Sequence, residues 1–170
     1  PGLALGYRLE AGGVAVVYAT DHEPHSRHQP EVTGPATVLP VHREDQRHVE
    51  FLADADLVIH DAQYTLKEYP NKLTWGHSPA ELAVDFALAA GVKRLALFHH
   101  DPLRDDAALD RLVESCRQRA VAGGLDVFRK AHGRPDLRGQ HRRHAGERVV
   151  EHADDGEFLS TSPERPADGG

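Results

Sequence analysis

The sequence predicts an α/β fold, in which helices pack against a central β-sheet. Short apolar runs within residues 14–18, 56–59 and 95–98 are typical of buried strands. Segments with apolar residues at helical spacing lie between these runs, so the predicted order is β-β-α-β-α-β-α with one further strand. Strands that alternate with helices in this way indicate a sheet covered by helices.

The same patterns place each element along the chain. In order, they are a hairpin of two strands (residues 3–10 and 14–18), a polar surface loop (22–42), a helix (43–53), a strand (56–59), a loop or short helix (62–73), a helix (79–90), a strand (95–98), a helix (105–120) and a last strand (125–128).

The helix at residues 79–90 has well-marked ends. Ser78 is the predicted N-cap, Pro79 the first helical residue, and Glu81, three residues after Ser78, completes a capping box. Gly91 is placed to end the helix. The strand at residues 95–98 follows directly, so this helix and strand form one unit.

Composition limits the class of protein. The 170 residues allow one domain with extra segments, and a net charge of −7 disfavours nucleic acid and anionic membranes as partners. The single cysteine, Cys116, excludes an internal disulfide framework, is expected to pack in the core, and fits a reducing, cytoplasmic compartment. No apolar run is long enough to span a bilayer. The oligomeric state is left open, with a dimer as one alternative.

The chain divides into two parts. Residues 131–170 carry few large apolar side chains to offset the entropy of ordering, which predicts a disordered, low-order polar tail. The folded part is therefore predicted to span residues 1–130. Because the chain starts at Pro1 and contains no methionine, we expect it to be a fragment of a longer protein.

Several strands end in a side chain that can bind metal or transfer protons. Asp21, Asp61 and His99 each follow or end a predicted strand, and His77 precedes the helix at residues 79–90. Open α/β sheets bind ligands at the carboxyl edge of their strands, so we expect these residues to meet there. Imidazole nitrogen and carboxylate oxygen are zinc ligands, and further His or Asp side chains can move protons.

Each of these residues also has a purely structural interpretation. Asp21 could be a turn residue, Asp61 a cap, and His77 a ring packed against Trp75. Spacing alone does not choose between His99 and its neighbour as the ligand. The remaining histidines of the first half are expected to be solvated: His22, His25, His28, His42 and His48.

The short motifs together resemble a known family. They are Gly-Tyr-Arg at 6–8, Tyr-Ala-Thr-Asp at 18–21, Ile-His-Asp-Ala at 59–62, Trp-Gly-His-Ser at 75–78 and Phe-His-His-Asp-Pro at 98–102. Their order and separations are similar to the C-terminal half of a metallo-β-lactamase-fold hydrolase, in the ribonuclease Z and phosphodiesterase-like branch. The resemblance covers residues 1–128 and implies the second half of an αββα sandwich.

The resemblance also implies roles for the site residues. Asp21 is similar to the aspartate that bridges two metal ions, expected to be zinc, and His99 matches the last metal-binding histidine. His77 is similar to the histidine that assists phosphodiester cleavage, and Asp61 would orient it. The family's His-x-His-x-Asp-His cluster does not occur in this sequence. We therefore expect this chain alone to hold an incomplete site, to bind metal weakly and to be inactive.

The expected activity of the complete protein is hydrolysis of a small-molecule phosphodiester, or of another ester, by metal-activated water. A transfer-RNA substrate is less expected, because the family's tRNA-gripping arm has no counterpart before Asp21, where only a tight hairpin lies. Two other classes stay open. One is a non-catalytic binding or structural module, and the other is an unrelated α/β domain whose histidines are incidental.

Overall fold

The computed structural model describes residues 4–25, 41–129, 148–153 and 158–161. Its strands are β1 (Leu5–Ala11), β2 (Val14–Ala19), β3 (Leu57–Asp61), β4 (Arg94–Phe98), β5 (Asp126–Arg129), β6 (Arg148–Ala153) and β7 (Phe158–Thr161). Its α-helices are α1 (Gln46–Leu52), α2 (Ala80–Ala89) and α3 (Asp106–Ala120). The predicted α/β class and the order of these elements up to β5 are confirmed.

All described strands belong to one mixed sheet, in the order β5-β4-β3-β2-β1-β6-β7. Neighbours from β2 to β5 are parallel, whereas β1 and β6 pair antiparallel with their neighbours. The β1–β2 hairpin turns at Gly12 and Gly13, with φ of 58° and 79°. Both values are left-handed, which glycine adopts without strain and which suits a two-residue hairpin.

One face of the sheet forms the core with the helices. Val17, Val58, Leu95 and Val127 lie side by side across four strands, and each is at most 1% exposed. Phe86 of α2 packs into the same cluster. Full burial of such side chains contributes roughly 1.5–3 kcal/mol each, so this row and its helices hold the fold together.

The opposite face of the sheet keeps apolar side chains partly exposed in the described part of the chain. Tyr18, Ile59 and Phe128 alternate with the core row and are only half-buried. Leu9 and Val14, on the same face, are 49% and 51% exposed. Half of a two-sheet sandwich would leave such a face exposed, because the face would pack against the other sheet.

The start of α2 differs from its prediction. Pro79 is the N-cap and no side chain caps the helix. The Ser78 hydroxyl instead donates to the His22 carbonyl at 2.6 Å, and Glu81 accepts from the Leu66 backbone N–H at 3.0 Å. The predicted capping box is therefore wrong, because both side chains bond to other segments of the fold.

The end of α2 is as predicted. Gly91 has φ of 66°. Its N–H donates to the Leu88 carbonyl at 3.2 Å, and the Val92 N–H donates to the Ala87 carbonyl at 3.0 Å. This pair of bonds is a Schellman motif, which satisfies carbonyls that the helix leaves unpaired.

Helix α3 has a side-chain N-cap and buries one face in the core. Asp105 accepts from the Ala108 N–H at 2.6 Å as the N-cap side chain. Cys116 is fully buried in the core, as predicted. Within the described residues, no helix is long and apolar enough to cross a membrane.

Two strands lie within the region predicted as a low-order tail. Strand β6 pairs with the outer edge of β1, and β7 pairs with β6. The edge of β1 presents unpaired backbone groups, and pairing with them does not require large apolar side chains. Composition therefore gave no signal for these strands. The rest of residues 131–170, and residues 26–40 of the predicted loop, lie outside the described residues.

Candidate metal and acid-base site

The four predicted site residues meet at one edge of the sheet. Asp61 ends β3, His99 follows β4, Asp21 follows β2, and His77 lies in the loop before α2. Because β2, β3 and β4 are parallel neighbours, their carboxyl ends share this edge. One ligand-type atom from each residue lies within 4.8 Å of the others. The sequence thus predicted the members of this cluster.

Asp61 and His77 form the tightest contact of the site. His77 Nδ1 lies 2.6 Å from Asp61 Oδ2, and Asp61 is fully buried. The second carboxylate oxygen accepts backbone N–H bonds from Gln63 at 3.1 Å and Ser78 at 3.4 Å. An ionised carboxylate only accepts, so the His77 proton sits on Nδ1 and its Nε2 faces away from Asp61.

The electrostatics of His77 follow from this contact. The hydrogen bond to Asp61 raises the pKa of His77 above its ordinary value, against the opposing effect of desolvation. The charges of Asp61, Asp21 and Glu23 act in the same direction as the hydrogen bond. The imidazolium form of His77 is therefore favoured at this edge.

Asp21 and His99 are close without forming a hydrogen bond. His99 Nδ1 lies 3.0 Å from Asp21 Oδ1, yet this buried nitrogen has no aligned hydrogen-bond partner among the described residues. It also lies 3.9 Å from Asp61 Oδ2. His99 Nδ1 is therefore a buried ring nitrogen that remains available to a ligand.

The backbone at this edge is strained at two of the four residues. Asp21 has φ of 52° and His99 has φ of 54°, both in the left-handed region. Such conformations cost a non-glycine residue of order 1–3 kcal/mol and cluster at functional sites. Both residues with this backbone conformation belong to the cluster.

The donor set fits a divalent metal. Two carboxylates and two imidazoles are ligands that zinc accepts, and the spacing of their atoms is compact enough for one shared site. Of the two adjacent histidines, His99 belongs to this cluster and His100 does not. Because the ligand atoms of all four residues lie within 4.8 Å of one another, the division into the ligands Asp21 and His99 and the proton-transfer residues Asp61 and His77 stays a prediction.

A second group of histidines was missed. His22, His48 and His60 are 5%, 4% and 0% exposed and lie together behind the site. The expectation that His22 and His48 are solvated is therefore wrong. A signal existed for two of the three, since His48 is one helical turn before Leu52 and His60 alternates with Val58 on the core face.

The other histidines expected to be solvated differ among themselves. His42 is exposed, as predicted, and caps a short 3-10 helix by accepting a hydrogen bond from the Glu44 N–H. His25 is partly exposed, and its Nδ1 lies 2.9 Å from Asp45 Oδ1. His28 lies outside the described residues.

Comparison with known proteins finds partial relatives. No family model matches the chain. It is 41% identical over 61 residues to ribonuclease Z of Sulfurisphaera tokodaii and 43% identical over 61 residues to that of Saccharolobus islandicus; each match covers 36% of this chain and 20% of the relative. Ribonuclease Z of Thermoplasma volcanium is 36% identical over 72 residues, 42% of this chain and 23% of that protein.

These matches cover less than a quarter of the curated relatives' length. Over the matched stretch they confirm the resemblance to the ribonuclease Z branch. The chain is also similar to a solved structure, the metallo-β-lactamase fold protein YhfI from Bacillus subtilis, with a TM-score of 0.47 and 17% identity. That similarity covers 85% of this chain and 43% of YhfI.

Proposed function

We propose that this chain carries part of the active site of a metal-dependent hydrolase that cleaves phosphodiester bonds. The observation that carries the proposal is the Asp61–His77 hydrogen bond, 2.6 Å long, directly beside Asp21 and His99. The partial match to proteins named ribonuclease Z supports the bond type. The activity belongs to a protein that also supplies the rest of the site.

Each residue has a distinct role in the proposed reaction. Asp21 and His99 would hold the metal, for which zinc fits the donors. When bound, the metal supplies a water of lowered pKa as the nucleophile. Asp61 keeps the His77 proton on Nδ1 and favours the imidazolium, so that His77 can donate its Nε2 proton to the leaving oxygen.

The first test measures metal binding by this chain and hydrolysis by a longer one. We expect Zn²⁺ to bind the chain weakly and Asp21→Asn to weaken it further. Hydrolysis of bis(p-nitrophenyl) phosphate is measured with a chain that also contains the His-x-His-x-Asp-His segment. There, His77→Gln should lower kcat about 100-fold, within the usual range for a general acid.

The matched control is Asp126→Asn, which removes a carboxylate at the opposite edge of the sheet, where Asp126 bonds to Arg94. This variant should bind metal and hydrolyse substrate like the parent. Unchanged hydrolysis in Asp21→Asn would contradict the assignment. Absence of metal binding in both chains would instead favour a non-catalytic binding or structural module.

RNA is the second candidate substrate. It is favoured by the names of the matched relatives. The small-molecule alternative is favoured by the net charge of −7, which repels a polyanion, and by the short β1–β2 turn. We expect the protein to cleave a structured RNA with a 3′ extension less efficiently than bis(p-nitrophenyl) phosphate. A higher efficiency with the RNA would make RNA the substrate.

A further inference from the structure

We propose that His48 is a positioning residue, which holds the candidate site from behind through the buried histidines. The group His22, His48 and His60 is called the back cluster below. The effect on metal binding rests on the proposed function, whereas the contacts of His48 belong to this chain alone. Helix α1 supplies His48 but none of the four site residues.

The back cluster is connected to the site through adjacent residues of the chain. Three site residues each have a sequence neighbour in or against the back cluster. The pairs are Asp21 with His22, Asp61 with His60, and His77 with Ser78. His60 and Asp61 are successive residues of strand β3, so their side chains point to opposite sides of the sheet. His22, His60 and Ser78 are all buried next to the site residue that each adjoins in the chain.

Direct contacts join these neighbours. The His22 ring stacks on the His48 ring, with centroids 3.6 Å apart and planes 13° apart. Ser78 Oγ donates to the His22 carbonyl at 2.6 Å. His48 Nε2 lies 2.8 Å from His60 Nε2, and His60 Nδ1 lies 2.7 Å from the Asp61 carbonyl oxygen. His48 therefore contacts the segments that carry Asp21 and Asp61.

The protons of this network have one consistent arrangement. A carbonyl oxygen only accepts, so His60 carries its proton on Nδ1 and donates to Asp61. Burial lowers the pKa of His60, which favours the neutral ring, and a neutral ring that carries its proton on Nδ1 has a lone pair on Nε2. His48 must then donate its Nε2 proton to His60. The chain of hydrogen bonds runs from His48 through His60 to the backbone of Asp61.

The same geometry favours positioning over a second metal site. The nitrogen lone pairs of two stacked imidazoles lie in parallel planes, so those of His22 and His48 do not converge on one ion. The Nε2 atoms of His48 and His60 are already engaged with each other. A donor at position 48, together with a flat ring, is what the network requires.

The test compares His48→Gln with His48→Leu in this chain. Glutamine can supply an N–H donor to His60, whereas leucine fills similar space without one. Co²⁺ is the probe, titrated against its visible absorption. We expect His48→Leu to weaken Co²⁺ binding about tenfold or more, because residues that support metal ligands usually contribute that much to affinity. His48→Gln should retain most of the Co²⁺ affinity.

A second measurement needs no metal. Proton–nitrogen NMR of the metal-free chain reports which ring nitrogen of His60 carries the proton and where the His77 ring signals lie. We expect the wild type to show His60 protonated at Nδ1. His48→Leu should shift the His77 signals and His48→Gln should restore them. This measurement separates failure of the positioning role from failure of the proposed metal site.

The control for a general loss of stability is Leu52→Ala, on the same helix and fully buried, outside the back cluster. Folding of each variant is followed by circular dichroism. If His48→Leu does not fold, Ser78→Ala, which removes the bond to His22, takes its place. Equal Co²⁺ binding and unmoved His77 signals in the donor-less variant would overturn the proposal. Equal losses in Leu52→Ala would do so as well.

Discussion

At the scale of single residues, Asp61 bonds to the site through its side chain and to the core through its main chain. Its side-chain oxygen accepts the His77 proton, while its main-chain carbonyl accepts the proton of His60. The neighbouring Ser78 shows the same division, since its N–H bonds to Asp61 and its hydroxyl to the His22 carbonyl. Site geometry and core packing are therefore set by the same few residues.

The Asp61–His77 bond predicts a pH dependence of stability in the metal-free protein. The raised pKa of His77 means that its stabilising contribution is fully present below the unfolded-state pKa of about 6.5. It is lost as pH rises through the folded-state pKa. Urea unfolding at a series of pH values should show the free energy of unfolding decreasing over that window.

Asp61→Asn should flatten this dependence, because asparagine cannot stabilise the imidazolium by charge. Asp126→Asn, at the other edge of the sheet, should keep it. Parallel pH profiles for the parent and Asp61→Asn would show that His77 is not the group responsible.

At the scale of elements, α2 and α3 are joined by a buried ion pair that no local pattern indicated. Arg119 donates from Nε and Nη2 to the two carboxylate oxygens of Asp85, both at 2.7 Å. The two residues are 4% and 1% exposed. The helices are thus fixed to each other by a two-bond contact as well as by apolar packing.

Removing one partner of this pair should be costly. Asp85→Ala leaves the Arg119 guanidinium buried without its counter-charge, and the expected loss of unfolding free energy is about 3–5 kcal/mol. The double change Asp85→Leu with Arg119→Leu should cost less than Asp85→Ala alone. Urea unfolding of the three proteins checks this order. A loss below about 1 kcal/mol in Asp85→Ala would place the pair among weak surface contacts.

At the scale of the whole molecule, the described sheet has one covered face and one face that keeps apolar side chains accessible. The covered face gathers α1, α2, α3 and the core row centred on Val58. The candidate site lies at the carboxyl edge of this sheet, where β2, β3 and β4 end side by side.

Cys116 can report on the integrity of the covered face. It is fully buried on α3, and burial raises the pKa of its thiol to about 12. We expect no reaction with a thiol reagent at neutral pH in the folded protein and rapid reaction in urea. The midpoint of labelling should coincide with that of circular dichroism. Fast labelling without denaturant would show that α3 opens independently of the core.

Local pattern was sufficient for the elements and for the members of the site. Apolar runs and helical spacing predicted each strand up to β5 and each helix, because burial on a sheet demands those periods. Asp21 and Asp61 were predicted from their places at strand ends, since parallel strands bring those ends to one edge. Strand position also indicated His99 or His100, and the choice of His99 came from the resemblance. The resemblance to ribonuclease Z then supplied candidate roles that residue types alone left open.

Only the tertiary structure decided which partner each polar group takes. Serine is a common helix cap, but the Ser78 hydroxyl bonds to the His22 carbonyl. Histidine in a polar stretch is usually at the surface, but His48 is buried. Strand β6 pairs antiparallel with β1, which lies far away in the chain, in a register that only the fold shows. These hydrogen bonds join segments that are far apart in the chain, such as His22 and Ser78, which are 56 residues apart. Neither segment contains a sequence pattern that identifies its partner.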